Sequence, residues 1–120
     1  LAIHNWGVAL ASQGRYREAI EKFRRVIEID GAQIRSALSY VGWGAALAAL
    51  GEPDEGTAMI QKALAIDPRA DRAYYRWAQL LEGEGRYEEA RAKYRLALLF
   101  ICIHQTTIQI AAPHAVRPSL

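Results

Sequence analysis

The chain has 120 residues, 52% of them apolar, and its 15 Lys and Arg residues against 13 Asp and Glu residues give a formal net charge of +2. This length and apolar content predict one compact domain or a short repeat array and exclude a disordered chain. The near-neutral charge offers no strong basic field, so we expect no nucleic-acid partner. A single cysteine, Cys102, excludes an internal disulfide framework. No apolar stretch reaches the roughly 20 residues that a bilayer requires, so no membrane span is predicted.

An internal repeat of about 34 residues organises the chain. Each unit carries a tryptophan that is followed eight residues later by a glycine. These pairs are Trp6 and Gly14, Trp43 and Gly51, and Trp77 and Gly85. The first two glycines are 37 residues apart and the last two are 34 apart, so the first junction holds three extra residues. Apolar residues recur within each unit at steps of three and four, which is typical of amphipathic helices, and each unit is therefore predicted to contain two helices.

Six helices are predicted in chain order. They cover residues 2–13 and 16–30 in the first unit, 35–50 and 53–66 in the second, and 71–84 and 87–101 in the third. The repeat glycines fall where a helix C-terminus needs a left-handed residue, a conformation that glycine adopts without strain. Pro53 suits the first turn of its helix, because its missing N–H removes no hydrogen bond there. Pro68 ends the same helix, since a proline ring disfavours helical geometry in the preceding residue.

Small and aromatic residues predict how the two helices of a unit pack. Small residues of the first helix are expected to face small residues of the second, as Gly44 would face Gly56. The aromatic side chains then fill the remaining core rather than a cofactor pocket, so we predict no cofactor. The aromatic residues assigned to the core are Trp6, Trp43, Trp77, Tyr16, Tyr40, Tyr74, Tyr87 and Tyr94.

These motifs resemble the tetratricopeptide repeat (TPR), whose pattern is W-x2-L-G-x2-Y, then A-x3-F, then P. The second unit reads Tyr40-x2-Trp43-Gly44-x2-Leu47, then Gly56-x3-Ile60, then Pro68. The resemblance implies an all-α fold, an α-solenoid of three helix-turn-helix TPR units in a right-handed superhelix with an atypical C-terminal tail. The array would span residues 1–100, in units of about 2–33, 37–70 and 71–100, and the tail would span 101–120.

Two parts of the chain depart from the family pattern. Gly31 stands where the first unit would have its proline, so that junction is expected to form either a longer helix or a looser loop. Residues 101–120 contain no acidic residue and many β-branched residues, so the tail is predicted to be partly extended or disordered. It would either pack on the end of the array or place an extended segment, Thr106 to Ile110, in a groove of its own or a neighbouring chain. The second alternative predicts a homo-oligomer joined through residues 101–120.

The resemblance also implies a binding surface, because the first helix of each TPR unit lines a concave face that holds partner peptides. Arg72 and Arg76 lie four residues apart on one helix face and could grip a carboxylate. Local ion pairs with Asp71 or Glu82 are the structural alternative for these two arginines. The residues implied to line the concave face are His4, Asn5, Val8, Leu38, Val41, Gly42, Ala45, Arg72, Tyr75, Arg76 and Gln79.

Members of the family that clamp the C-terminal carboxylate of heat-shock chaperones have a basic pair at the places of Arg72 and Arg76, together with a lysine and two asparagines. This chain has His4, Val8 and Gly42 at those three positions, so only two of the five clamp residues match. The apolar middle of the face beside the arginines favours a peptide with aliphatic anchors and one acidic group.

The favoured function is a non-enzymatic protein-interaction module that binds a peptide or helix of a partner protein. No catalytic residues are predicted, and the set Cys102, His104 and His114 is too sparse to predict a metal site. The alternatives are self-association through the tail and a regulatory segment of a larger enzyme. The chain begins inside a helix without Met, so we expect it to be a piece of a longer protein. A cytoplasmic location and, from 12 Arg against 3 Lys, a bacterial source are expected.

Overall fold

A computed structural model describes residues 2–111, without the side chains of residues 108, 110 and 111. This range folds as six helices and contains no strand. The helices are α1 Ala2–Ser12, α2 Tyr16–Asp30, α3 Ile34–Ala49, α4 Pro53–Ile66, α5 Asp71–Gly83 and α6 Tyr87–Ala111. Consecutive helices pack as antiparallel neighbours, and α3 also contacts α1 and α5, which stacks the three units side by side. The all-α helical-repeat solenoid is confirmed.

The turns inside the three units are alike, as the repeat predicts. Gly14, Gly51 and Gly85 have φ angles of 79°, 86° and 78°, in the left-handed region that favours glycine. The residue after each glycine donates its N–H to a leucine carbonyl of the preceding helix at 2.9 Å in all three units. These bonds satisfy carbonyl groups that would otherwise lack partners at the helix C-terminus, so one local motif sets the hairpin geometry three times.

The first junction is a short closed loop rather than a longer helix. Gly31 has a φ of 65°, and its N–H donates to the carbonyl of Ile27 at 2.8 Å, which ends α2. Across the loop, Nη2 of Arg35 donates to Oδ1 of Asp30 at 3.0 Å. Glycine therefore stops the helix here by its conformational freedom, where the family pattern uses proline.

The two helices of the middle unit approach to backbone contact. A Cβ placed on Gly44 would lie 2.5 Å from the carbonyl oxygen of Gly56, and one on Gly56 would lie 2.6 Å from that of Gly44. The predicted contact of small residues is confirmed at this pair. The close approach buries Ile60 completely between the units.

Two of the aromatic residues assigned to the core lie at the surface. Trp6 is 56% exposed and Tyr87 is 66% exposed, so the prediction is wrong for both. Trp43 and Trp77 are partly buried and pack against the core clusters. Tyr87 is the first residue of its helix, where few neighbours exist to cover it. Trp6 lies on an exposed side of α1, where Nζ of Lys22 from α2 lies 3.8 Å from the centre of its ring.

The predicted extended conformation of residues 106–110 is also wrong, because α6 continues to Ala111. No glycine or proline occurs between residues 86 and 112, so no residue in this stretch stops the helix. The hydroxyls of Thr106 and Thr107 donate to the carbonyls of Cys102 and Ile103 at 2.9 Å, within the helix. The predicted role of residues 112–120, including disorder from Pro113, lies outside the described residues.

Candidate functional site

The first helices of the three units together line one concave surface, which we call the groove. It encloses a cavity of about 560 Å³. The predicted site residues that line this cavity are His4, Val8, Leu38, Val41, Gly42, Ala45, Arg72, Tyr75 and Arg76. The structure therefore brings nine of the eleven predicted residues to one surface.

The remaining two predicted residues lie elsewhere. Gln79 lines a second cavity of about 440 Å³ between the second and third units, which shares Ala45, Ala49 and Arg76 with the groove. Asn5 is exposed on α1 and lines neither cavity. Each residue of a helix is turned by about 100° from the one before it. Asn5 therefore lies to one side of the face that carries His4 and Val8.

Phe23 of α2 is a groove residue that the sequence reasoning missed. Its ring is fully buried and passes between the first and second units to form part of the groove floor. A Cβ on Gly7 would lie 2.8 Å from Cε1 of this ring, and one on Gly42 would lie 2.6 Å from Cζ. Gly42 thus makes room for an aromatic ring from the previous unit. The available signal was the glycine at a helical position where helix propensity disfavours it.

A buried polar pair ties α1 to α3 at one end of the groove. Nδ1 of His4 lies 3.0 Å from Oγ of Ser39, a buried hydrogen bond, and the imidazole also packs at 5.5 Å from the Phe23 ring. Burial lowers the pKa of His4, because the imidazolium would lose its hydration there, and the positive charge of Arg72 lowers it further. The neutral imidazole is therefore the form that fits this site.

We expect the chain to lose stability in acid through His4. Its pKa in the folded state is lowered from the ordinary value of 6.5, so the unfolded chain takes up a proton more readily than the folded chain. The stability that neutral His4 provides is fully present above the unfolded pKa and is lost as the pH falls from that value through the lowered pKa of the folded state. When the pH is lowered from about 7.5 to about 5, the urea midpoint of the wild type should fall further than that of His4→Gln. An equal fall in both proteins would contradict this role for His4.

Arg72 and Arg76 present their side chains to the groove without local ion pairs. Both are exposed, and within residues 2–111 no carboxylate lies within 4.0 Å of either guanidinium. Nη1 of Arg76 donates to Oε1 of Gln79 at 2.9 Å, which holds that side chain in place. Glu82 instead accepts a hydrogen bond from the hydroxyl of Tyr94 at 2.8 Å. Within the described residues, Arg72 and Arg76 thus do not form the ion pairs with Asp71 or Glu82 that were the structural alternative.

The part of the chain that the structure describes offers no cluster of three or more His, Cys, Asp or Glu residues that could hold a metal ion. Cys102 is exposed on α6, and His114 lies outside the described residues. No helix within residues 2–111 is long and apolar enough to traverse a bilayer.

Comparison with solved structures places the chain among TPR domains. The Arabidopsis OM64 TPR domain is 27% identical, with a TM-score of 0.71 over 82% of this chain and 79% of that one. MamA is 25% identical, with a TM-score of 0.71 over 88% of this chain and 60% of the MamA chain. The second TPR of Spaghetti (RPAP3), bound to an HSP90 peptide, has 24% identity and a TM-score of 0.69 over 82% and 89% of the two chains. No curated protein gave a significant match.

Two family models describe the sequence itself. One tetratricopeptide repeat model matches residues 1–32, and a second matches residues 41–103, which is more than half of the chain. Together these ranges cover α1, α2, α4 and α5 and most of α3 and α6. The chain belongs to the tetratricopeptide repeat family.

Proposed function

We propose that this chain is a non-enzymatic protein-interaction module that binds a peptide or helix of a partner protein in the groove. The observation that carries the proposal is the groove itself, an open concavity with an apolar middle and two arginines that have no carboxylate partner within the described residues. Its volume falls in the range of about 300 to 1,000 Å³ that is typical of ligand sites. We propose the array of residues 1–100 as the binding unit.

The shape of the groove favours side chains of moderate size from the partner. Its middle is formed by Val41, Gly42 and Ala45, whose small side chains leave the cavity open above the Phe23 ring. Aliphatic side chains entering this space would be removed from water, which contributes about 25 cal/mol for each Å² of apolar surface buried. The groove therefore suits a peptide with aliphatic anchors.

Arg72 and Arg76 set the charge preference. Two guanidinium groups four residues apart on α5 can donate several charge-assisted hydrogen bonds to one carboxylate. They lie on the same cavity as the apolar middle, so one ligand could contact both. We propose a peptide ligand that carries one acidic group beside its aliphatic anchors, rather than a polyanion.

Three solved proteins of the same fold are bound to peptides. The second TPR of Spaghetti (RPAP3) is bound to an HSP90 peptide, the second TPR domain of human RPAP3 is in complex with an HSP70 peptide, and the Yersinia enterocolitica chaperone SycD is in complex with a peptide of YopD. The three identities are between 19% and 24%, so they bear on the fold alone. His4, Val8 and Gly42 replace three of the five clamp positions, so we propose a partner other than a chaperone tail.

Filling the groove tests the proposal. Ala45 lines both cavities, and Ala45→Phe places a ring in the groove, whereas Ala65→Phe makes the same change at an exposed position of α4 outside both cavities. Peptides selected from a random display library on the wild-type chain should bind Ala65→Phe with unchanged Kd and Ala45→Phe at least about tenfold more weakly, a difference of about 1.4 kcal/mol. Circular dichroism checks that both variants fold. Unchanged affinity for Ala45→Phe would refute the groove as the binding surface.

A further inference from the structure

The second cavity lies directly beside the groove, at the C-terminal ends of α3 and α5. Its volume is about 440 Å³, close to that of the groove. Ala45, Ala49 and Arg76 line both the groove and the second cavity, so the two spaces adjoin. A ligand in the groove can therefore continue into the second cavity without leaving the concave surface.

The second cavity has mostly apolar walls. Ala48 of α3 and Leu80 of α5 line it, and Gly83 keeps it open because no side chain projects there. A Cβ placed on Gly83 would meet nothing within 4 Å. Oε2 of Glu84, an acidic residue on the rim, lies 3.7 Å from Nη1 of Arg86, so its charge is compensated locally. The second cavity therefore suits an uncharged aliphatic side chain, as the middle of the groove does.

Arg76 stands at the boundary between these two apolar spaces. Its Nη1 donates to Oε1 of Gln79 at 2.9 Å, and Gln79 lines the second cavity. A guanidinium carries several N–H donors, so others remain for a ligand. None of the described carboxylates lies within 4.0 Å of Arg76. The positive charge that a ligand has to match therefore lies between two apolar subsites and not beyond them.

We propose that the ligand is an internal segment of a partner protein, in which an Asp or Glu side chain lies between two aliphatic side chains. The carboxylate accepts hydrogen bonds from Arg76, one aliphatic side chain enters the groove, and the other enters the second cavity. A C-terminal carboxylate at Arg76 would end the ligand at the boundary, and one apolar cavity would stay exposed to water. The inference rests on the proposed function of the groove and adds where the acidic group lies in the ligand.

The geometry of α3 sets the distance between the two aliphatic side chains. Val41 lines the groove and Ala48 lines the second cavity, seven residues further along the same helix. A helix rises by about 1.5 Å for each residue, so these two positions lie about 10 Å apart along its axis. An extended or polyproline II peptide covers that distance in about three residues. The acidic residue is therefore expected at one of the positions directly between the two aliphatic residues.

Phenylalanine substitutions that each fill one of the two cavities test the inference. Gly83→Phe places a ring in the second cavity, and Val8→Phe does so in the groove, where Val8 is 48% exposed. Gly83→Leu is a smaller second variant, and Ala65→Phe, at an exposed position outside both cavities, is the matched control.

The probe is a peptide selected from a random display library on the wild-type chain and synthesised with an acetylated N-terminus and an amidated C-terminus. Its Kd is measured by isothermal titration calorimetry, and circular dichroism checks the helix content of every variant.

We expect the selected peptides to share an Asp or Glu between two aliphatic residues, and the amidated peptide to bind as tightly as one with a free C-terminus. Gly83→Phe and Val8→Phe should each weaken binding at least about tenfold, and Ala65→Phe should leave the Kd unchanged. Replacing one aliphatic residue of the peptide with alanine should weaken binding to the wild type but have little further effect on Gly83→Phe, because that subsite is already lost. The other aliphatic residue should show the same relation to Val8→Phe.

Loss of binding on amidation would overturn the inference, since the acidic group would then be a terminal carboxylate. A peptide that Val8→Phe weakens and both Gly83 variants leave unchanged would also overturn it, although the groove would remain a peptide site. Unchanged binding to Val8→Phe and to both Gly83 variants would refute the proposed function as well.

Discussion

Replacing Gly44 with alanine is expected to lower the free energy of unfolding by about 3 kcal/mol. The new methyl group would lie 2.5 Å from the Gly56 carbonyl oxygen and 2.9 Å from Cγ1 of Ile60. The first of these neighbours is backbone and does not rotate away, so α3 and α4 must separate. That separation loosens the contacts around buried Ile60 in the middle unit, on which both outer units pack. Denaturant unfolding of the two proteins measures the difference directly.

Gly83→Ala is the matched control for this prediction. Gly83 lies in the last turn of α5, and a Cβ there would meet nothing within 4 Å. Alanine has the higher helix propensity, so this variant should gain about 0.5 to 1 kcal/mol. Opposite signs for the two glycines would support backbone contact between α3 and α4. Equal changes would mean that helix propensity, and not the close approach, determines the effect at Gly44.

Phe23→Ala is expected to lower the free energy of unfolding by about 3 to 5 kcal/mol, enough to unfold a marginally stable domain. The ring is fully buried and fills the space between Gly7 and Gly42, so its removal leaves a cavity at the joint of the first two units. Neighbouring backbone cannot collapse into that cavity without moving whole helices. Thermal or urea unfolding measures the loss.

Phe23→Leu is the graded comparison for this site. Leucine keeps an apolar side chain in the joint, as Ile60 does at the equivalent position of the second unit, so the loss should be clearly smaller than for alanine. A loss of less than about 1 kcal/mol for Phe23→Ala would contradict the role of this ring between the units.

The parts of the fold that depend on local chemistry were predictable from the sequence. The three turns follow from glycines that adopt left-handed geometry, and the starts of α2, α4 and α6 agree with the prediction to the residue. Resemblance to the family then fixed which helix of each unit faces inward, so nine of the eleven proposed groove residues lie on one cavity.

Most of the errors concern contacts between residues that are distant in sequence. Gly42 is a glycine because Phe23 of the previous unit needs the space, a relation that no local pattern reveals. Trp6 has the repeat signature of a core residue, yet its exposure depends on whether another surface covers it. At the C-terminal end of α6, β-branched residues favoured an extended segment. The cost of such residues in a helix is small, and the absence of glycine and proline outweighs it.

The most direct test of the groove is to map where a selected peptide binds by backbone amide chemical shifts. The account predicts that the largest shifts on titration fall on α1, α3 and α5, around Val8, Ala45 and Arg76. Saturable shifts on the outer surfaces of α2, α4 and α6, such as around Ala65, with the groove residues unchanged, would contradict it.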